Sequence, residues 1–168
     1  MSTVDETRTD QVTLRALQDR VDITEVLCRY SSAIDSFDNA GVRETLDDDI
    51  WAQYGNGEPV TSGDALAKWI GEATATVIWQ HHLLSVYHIK VEGDQASALS
   101  YLTSHQVFKE NPDAAIILVA RYHDELRRRP SGWRISKRTM EVLWGESRSK
   151  DNFLDSIGGR GPKIWARD

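Results

Sequence analysis

The chain has 168 residues, 40% hydrophobic and 27% charged, the composition of a globular domain long enough to bury a core of its own. It carries 20 basic and 26 acidic residues, a formal charge of −6, which argues against a nucleic-acid partner because phosphate binding needs a basic surface. No apolar run approaches the ~20 residues of a membrane span, residues 1–11 lack a signal-peptide core, and the lone cysteine, Cys28, excludes an intrachain disulfide and fits a reducing cytoplasm.

Residues 1–13 read as a polar, flexible tail. Residues 14–36 read as a helix whose apolar face is Leu17, Val21, Ile23, Val26, Leu27, Tyr30 and Ile34, with Cys28 expected on that face as a buried, inert thiol. A short helix over 39–48 turns Val42 and Leu46 inward and closes at Asp47-Asp48-Asp49. Over 50–55, Ile50, Ala52 and Tyr54 alternate with Trp51 and Gln53 as in a strand, and Gly55-Asn56-Gly57 turns the chain. A third helix over 63–76 is capped near Ser62 and apolar at Leu66, Trp69 and Ile70.

Strands follow over 83–91, 95–108, 114–128 and 133–144. They are punctuated by Glu92-Gly93-Asp94, Asn111-Pro112-Asp113 and Pro130-Ser131-Gly132. The basic run Arg127-Arg128-Arg129 beside the last turn reads as a solvated hairpin end. Helices segregated from an antiparallel meander define an α+β fold: a cone-shaped curved sheet with the N-terminal helices on its concave face and a pocket between them. The domain is expected over 14–146, with a C-terminal tail over 147–168.

Asp35 ends the apolar face of the first helix, as either a solvated boundary acid or a pocket group. Gln80-His81-His82 lies at the start of the first long strand. His105 lies in the second, on one face with Tyr101 and Thr103, while His88 and His123 read as exposed strand positions. No histidine pair has zinc-helix spacing, so no metal is expected, and no glycine-rich loop leads from a strand into a helix.

Arg29-Tyr30-Ser31-Ser32-Ala33-Ile34-Asp35 resembles the first-helix signature of the SnoaL-like family, in the nuclear transport factor 2-like class. Gln80-His81-His82-Leu83-Leu84 with Ile89 to Ala96 resembles its histidine-strand-turn segment, and Arg121 to Leu126 with Gly132 to Arg138 its last hairpin. The family includes scytalone dehydratase, bile-acid 7α-dehydratase and hexachlorocyclohexane dehydrochlorinase, which use an aspartate–histidine pair to take a proton while a leaving group departs.

The resemblance implies a cofactor-free lyase of dehydratase type, or an isomerase or cyclase on the same dyad, acting on a mid-sized apolar or polycyclic molecule in a deep pocket. A non-catalytic ligand-binding module is the reading from outside the enzymes. The implied catalytic residues are Asp35, His82, Tyr54 and His105. Tyr30, Arg138, Tyr101 and Trp144 are the implied substrate contacts.

Leu99, Leu102, Ile117, Val119 and Leu143 are expected on the outer face of the sheet, where a second subunit of a homodimer or homotrimer would cover them. The tail carries Phe153, Leu154, Ile157, Ile164 and Trp165 around Gly158-Gly159-Arg160-Gly161. It is expected either to pack on a neighbour or to close over the pocket as a lid.

Overall fold

A computed structural model describes residues 3–149, with side chains from residue 14 onward. The order is α1 (Thr3–Asp35), α2 (Asn39–Thr45), β1 (Leu46–Tyr54), α3 (Gly63–Ala73), β2 (Val77–Glu92), β3 (Gln95–Phe108), β4 (Asn111–Arg129) and β5 (Gly132–Ser149). The strands form one sheet in the order β1-β5-β4-β3-β2. Helices and strands are segregated, so the fold is the expected α+β class. Two parts of the sequence reading fall outside this description: the lid residues from Phe153 onward and the glycine-rich turn beside them.

Several boundaries differ from expectation. Helix α1 runs back to Thr3, through most of the stretch read as a tail. The turn expected at Asn111-Pro112-Asp113 falls at Lys109-Glu110 instead, because Phe108 pairs with Asn111. The sheet is not wholly antiparallel: β1 lies parallel to β5, with Ala52 opposite Arg138 and Tyr54 opposite Met140.

The buried face of α1 is Ile23, Leu27, Tyr30 and Ile34, spaced by four, three and four residues as one helical stripe requires. Leu17 and Val21, expected on that stripe, are 56% and 59% exposed. Cys28 is exposed as well. It follows buried Leu27 by one residue, a rotation of about 100° that carries it to the solvent side. Trp133, Ile135 and Leu126 supply much of the sheet's side of the core.

The hairpins are closed by local chemistry. Gly93, at φ 64°, takes the left-handed conformation that the two-residue turn between Glu92 and Gln95 demands. The arginine run is anchored rather than merely solvated. Arg128 donates to both oxygens of buried Asp19 at 2.6 and 2.7 Å and stacks on Trp133 at 4.4 Å, while Arg129 grips buried Asp47. These pairs clasp α1 and β1 to the β4–β5 hairpin.

Along β3 the concave face holds Ala96, Ala98, Ser100, Leu102 and Ser104, all buried. Small residues here let α1 approach the sheet, and the bulkier Leu99, Tyr101, Thr103 and His105 take the outer face. Leu102, expected outside, is 2% exposed in the core. No helix among the described residues is long and apolar enough to cross a membrane.

Candidate active site

Helix α1 stops directly after Asp35. Phe37 adopts φ 55°, and the amides of Phe37 and Asp38 donate back to the carbonyls of Ile34 and Ala33, a Schellman-type closure. A bulky residue in the left-handed region is strained by about 1–3 kcal/mol. The two closing hydrogen bonds offset that cost and end the helix where its last carboxylate meets β2.

Asp35 takes hold of His82 at two points. Its Oδ2 accepts the His82 backbone N–H at 2.9 Å, and its Oδ1 lies 2.6 Å from His82 Nδ1. A carboxylate can only accept, so Nδ1 carries a proton, and in the neutral ring Nε2 is the nitrogen with the lone pair. The His82 side chain is 8% exposed and lines a cavity of about 200 Å³ under α1 and α3.

The same cavity is lined by Tyr30 and Tyr54, whose hydroxyls lie 2.5 Å apart. Burial pushes both phenols above their ordinary value, and for Tyr54 the Arg138 cation works against that rise. Both are therefore neutral O–H donors through the physiological range. Trp69 packs on the Tyr54 ring at 5.0 Å, and Ile34, Leu102, Leu118 and Met140 make the remaining walls largely apolar.

Arg138 stands behind the tyrosines rather than in the cavity. It is 1% exposed, its Nε and Nη2 donate to the two oxygens of Asp124 at 2.7 and 2.8 Å, and its guanidinium lies between the rings of Tyr30 and Tyr122 at 4.1 and 3.9 Å. Burial works to lower its pKa, but Asp124 outweighs burial and holds it well above the ordinary arginine value. Arg138, expected as a substrate contact, is thus placed behind the cavity wall. Its charge is already matched, and it reaches the cavity only through the phenols.

Three further expected site residues are not in the cavity. His105 lies on the outer face, its ring 6.2 Å from that of His81. Tyr101 lies outside as well, packed on Tyr87 at 4.7 Å and accepting from Arg121 at 3.4 Å. Trp144 pairs with outward Val119 and is 50% exposed. The physical reason is strand parity: Ser104 pairs with inward His82, so odd-numbered residues of β3 must face out.

The cavity side instead shows residues that the sequence reading passed over: Ser104, Gln106 and Tyr122, with Gln80 behind them. The signal was available in the pairing of His82 with the second strand, but only once the register was known. Among the described residues no three His, Cys, Asp or Glu side chains converge as metal ligands.

One imidazole and three phenols, those of Tyr30, Tyr54 and Tyr122, thus line one hollow of a nuclear transport factor 2-like α+β scaffold. The chain belongs to the SnoaL-like domain family, whose sequence pattern matches residues 15–139. Among its relatives, an uncharacterized protein of Mycobacterium tuberculosis, Rv2910c, is 26% identical over 73% of this chain and 84% of its own length.

Two solved structures share the fold. One, from Novosphingobium aromaticivorans, carries a provisional scytalone dehydratase name and is 20% identical over 86% of this chain and 95% of that one, with a TM-score of 0.68. The other, hexachlorocyclohexane dehydrochlorinase LinA-type3 from Novosphingobium barchaimii, is 14% identical over 81% and 94%, with a TM-score of 0.73.

Proposed function

We propose that this chain is a cofactor-free lyase of dehydratase type, in which His82 is the base, Asp35 holds it, and Tyr54 with Tyr30 supplies the acid. The observation that carries the proposal is the 2.6 Å contact between Asp35 Oδ1 and His82 Nδ1: with Nδ1–H committed to Asp35, Nε2 is left to accept on a ring that lines the cavity. His82 Nε2 takes a proton from carbon beside a carbonyl. The C–H electron pair forms a new C=C bond as the C–O bond to a β-hydroxyl breaks. Tyr54 gives its proton to the departing oxygen, releasing water, and Tyr30 donates to the Tyr54 oxygen as charge develops there. Proton return from the imidazolium to Tyr54 resets the site. General-base action of this kind contributes about 10²–10⁴-fold.

The cavity of about 200 Å³ is smaller than the ~300 Å³ at which drug-sized sites begin, which favours a substrate of one or two rings. A second reading, an isomerase, has its own support. With His105 outside, the cavity holds a single imidazole, and one base can both remove a proton and return it elsewhere on the carbon frame while the phenols hold the oxyanion.

The test uses 3-hydroxy-1-tetralone, a two-ring β-hydroxy ketone, in D₂O. A lyase converts it to 1-naphthol and water, followed by fluorescence, and His82→Gln slows that conversion at least about 100-fold. An isomerase exchanges the proton beside the carbonyl for deuterium without losing water. A protein that does neither is a ligand-binding module.

A further inference from the structure

We infer that Gln106 is a specificity-determining residue whose side-chain oxygen accepts a hydrogen bond from a substrate hydroxyl, so that this site selects ligands carrying an O–H one strand row from the imidazole. The inference rests on the small-molecule site proposed above and names a group its ligand must carry.

The argument starts from a backbone carbonyl. Ile34 O can only accept, and the Gln80 side-chain nitrogen donates to it at 2.5 Å. That fixes the orientation of the Gln80 amide, which is 5% exposed. Its Oε1 must therefore point the other way, and there it accepts from Gln106 Nε2 at 3.3 Å. The second amide is thereby oriented by the first. Gln106 presents its nitrogen to Gln80 and is left with Oε1 for the cavity, whose wall it forms. Among the described residues none donates to that oxygen. The relay runs from a fixed helix carbonyl, through a buried amide, to an acceptor with no protein partner.

Strand pairing places this acceptor relative to the chemistry. Gln80 pairs with Gln106 and His82 with Ser104, so Gln106 sits one inward row beyond the imidazole. Two residues of strand separate the rows by about 7 Å, the reach of a two-ring frame. A ligand with its reacting carbon at His82 can place a hydroxyl at Gln106. A methoxy group in the same place brings an oxygen against an oxygen, with no proton between them. A part-buried acceptor that gives up water to face an ether gains no hydrogen bond in return, and sites built to bond a hydroxyl reject its blocked analogue for that reason.

The experiment measures binding of 2-naphthol, 2-methoxynaphthalene and naphthalene to the full-length protein by calorimetry. The wild type is expected to bind 2-naphthol about tenfold more tightly than 2-methoxynaphthalene. In Gln106→Leu, and in the near-isosteric Gln106→Met should the first variant fold poorly, that gap closes to within about twofold while affinity for naphthalene is kept. In Gln80→Leu, which releases the amide without removing it, the gap narrows but persists. In Tyr101→Phe, on the outer face, the gap is unchanged.

A gap that survives in both Gln106 variants, or that disappears in Tyr101→Phe, assigns the discrimination to another group and overturns the inference. So does a wild type that binds the three probes equally or binds none of them. None of the probes reacts, so a protein with no lyase activity can pass this test and an active one can fail it.

Discussion

Asp35 and His82 form a two-point clamp in which one carboxylate receives both the ring N–H and the backbone N–H of a single residue, at 2.6 and 2.9 Å. The backbone contact fixes the strand against the helix end, and the ring contact fixes the tautomer. Position and protonation are thus set by one side chain.

Asp35→Asn tests this directly. The new amide keeps an oxygen for the backbone N–H but turns an NH₂ toward Nδ1, which drives the ring proton to Nε2. Nitrogen-detected NMR of His82 is expected to report Nδ1–H in the wild type and Nε2–H in the variant. Turnover of 3-hydroxy-1-tetralone should fall about 10²–10⁴-fold, nearly as far as in His82→Gln, with the double variant little worse than either single one. An unchanged tautomer would count against the clamp.

The buried pair Arg138–Asp124 is expected to behave asymmetrically. Arg138→Met or Asp124→Leu alone leaves one buried charge unmatched and should lower unfolding stability by roughly 3–5 kcal/mol. The double variant should recover most of that loss, because Arg138 also carries a buried Nη1 with no hydrogen-bond partner. Denaturant titration of the three variants measures it, and a single variant that loses less than about 1 kcal/mol contradicts the argument.

Alkaline stability follows from Tyr30 and Tyr122, both buried and both raised chiefly by burial. Their folded values lie above that of the unfolded chain. Above pH ~10 the unfolded state loses these protons and the folded state keeps them. The contribution to stability is therefore complete below pH ~10 and is lost as pH rises toward the folded values, by up to ~1.4 kcal/mol per pH unit for each tyrosine. Tyr30→Phe should flatten the decline above pH ~10, read from denaturation midpoints at successive pH values. An equally steep decline in the variant would place the loss elsewhere.

We expect the outer face of the sheet to be an assembly surface. Leu83, Thr103, Val119 and Trp144 line up across four strands there, and Leu83, Tyr87 and Trp144 are 59%, 60% and 50% exposed. Light scattering at micromolar concentration is expected to give a dimer or trimer, and Leu83→Glu with Trp144→Glu a monomer. A monomeric wild type would remove the expectation.

The lid expectation is tested by removing residues 150–168, a cut that spares β5, which runs to Ser149. If Phe153 and its neighbours cover the cavity, the shortened chain keeps its unfolding midpoint and binds 2-naphthol more weakly. Equal affinity in the two proteins rejects the lid.

The order of helices and strands was legible because periodicity changes sharply near residue 77, and Asp35, His82, Tyr30 and Tyr54 were legible from the resemblance. The face of β3 was not. Its odd positions carry Tyr101 and His105, which look like site residues, and its even positions carry Ala96, Ala98, Ser100 and Ser104, which do not. Close approach of α1 reverses that intuition by admitting only small residues on the concave side. The place of Arg138 is hidden for a related reason: its partner Asp124 lies on the neighbouring strand, and nothing local in the sequence announces that the charge is already matched.

The parallel pairing of β1 with β5 has a consequence for how this protein comes off the ribosome. Tyr54 stands at the end of β1, and its register partner is Met140, so the strand that carries one half of the phenol pair has no neighbour in the sheet until the last strand is made. Contacts of such long sequence separation form late and slowly. A nascent chain that has emerged only through β4 can hold α1 against β2 and so bring Asp35 to His82, but it lacks the ladder that brings Tyr54 to Tyr30. The helix and strand that carry the Asp35–His82 contact precede β5 in the chain, and the phenol pair waits for β5.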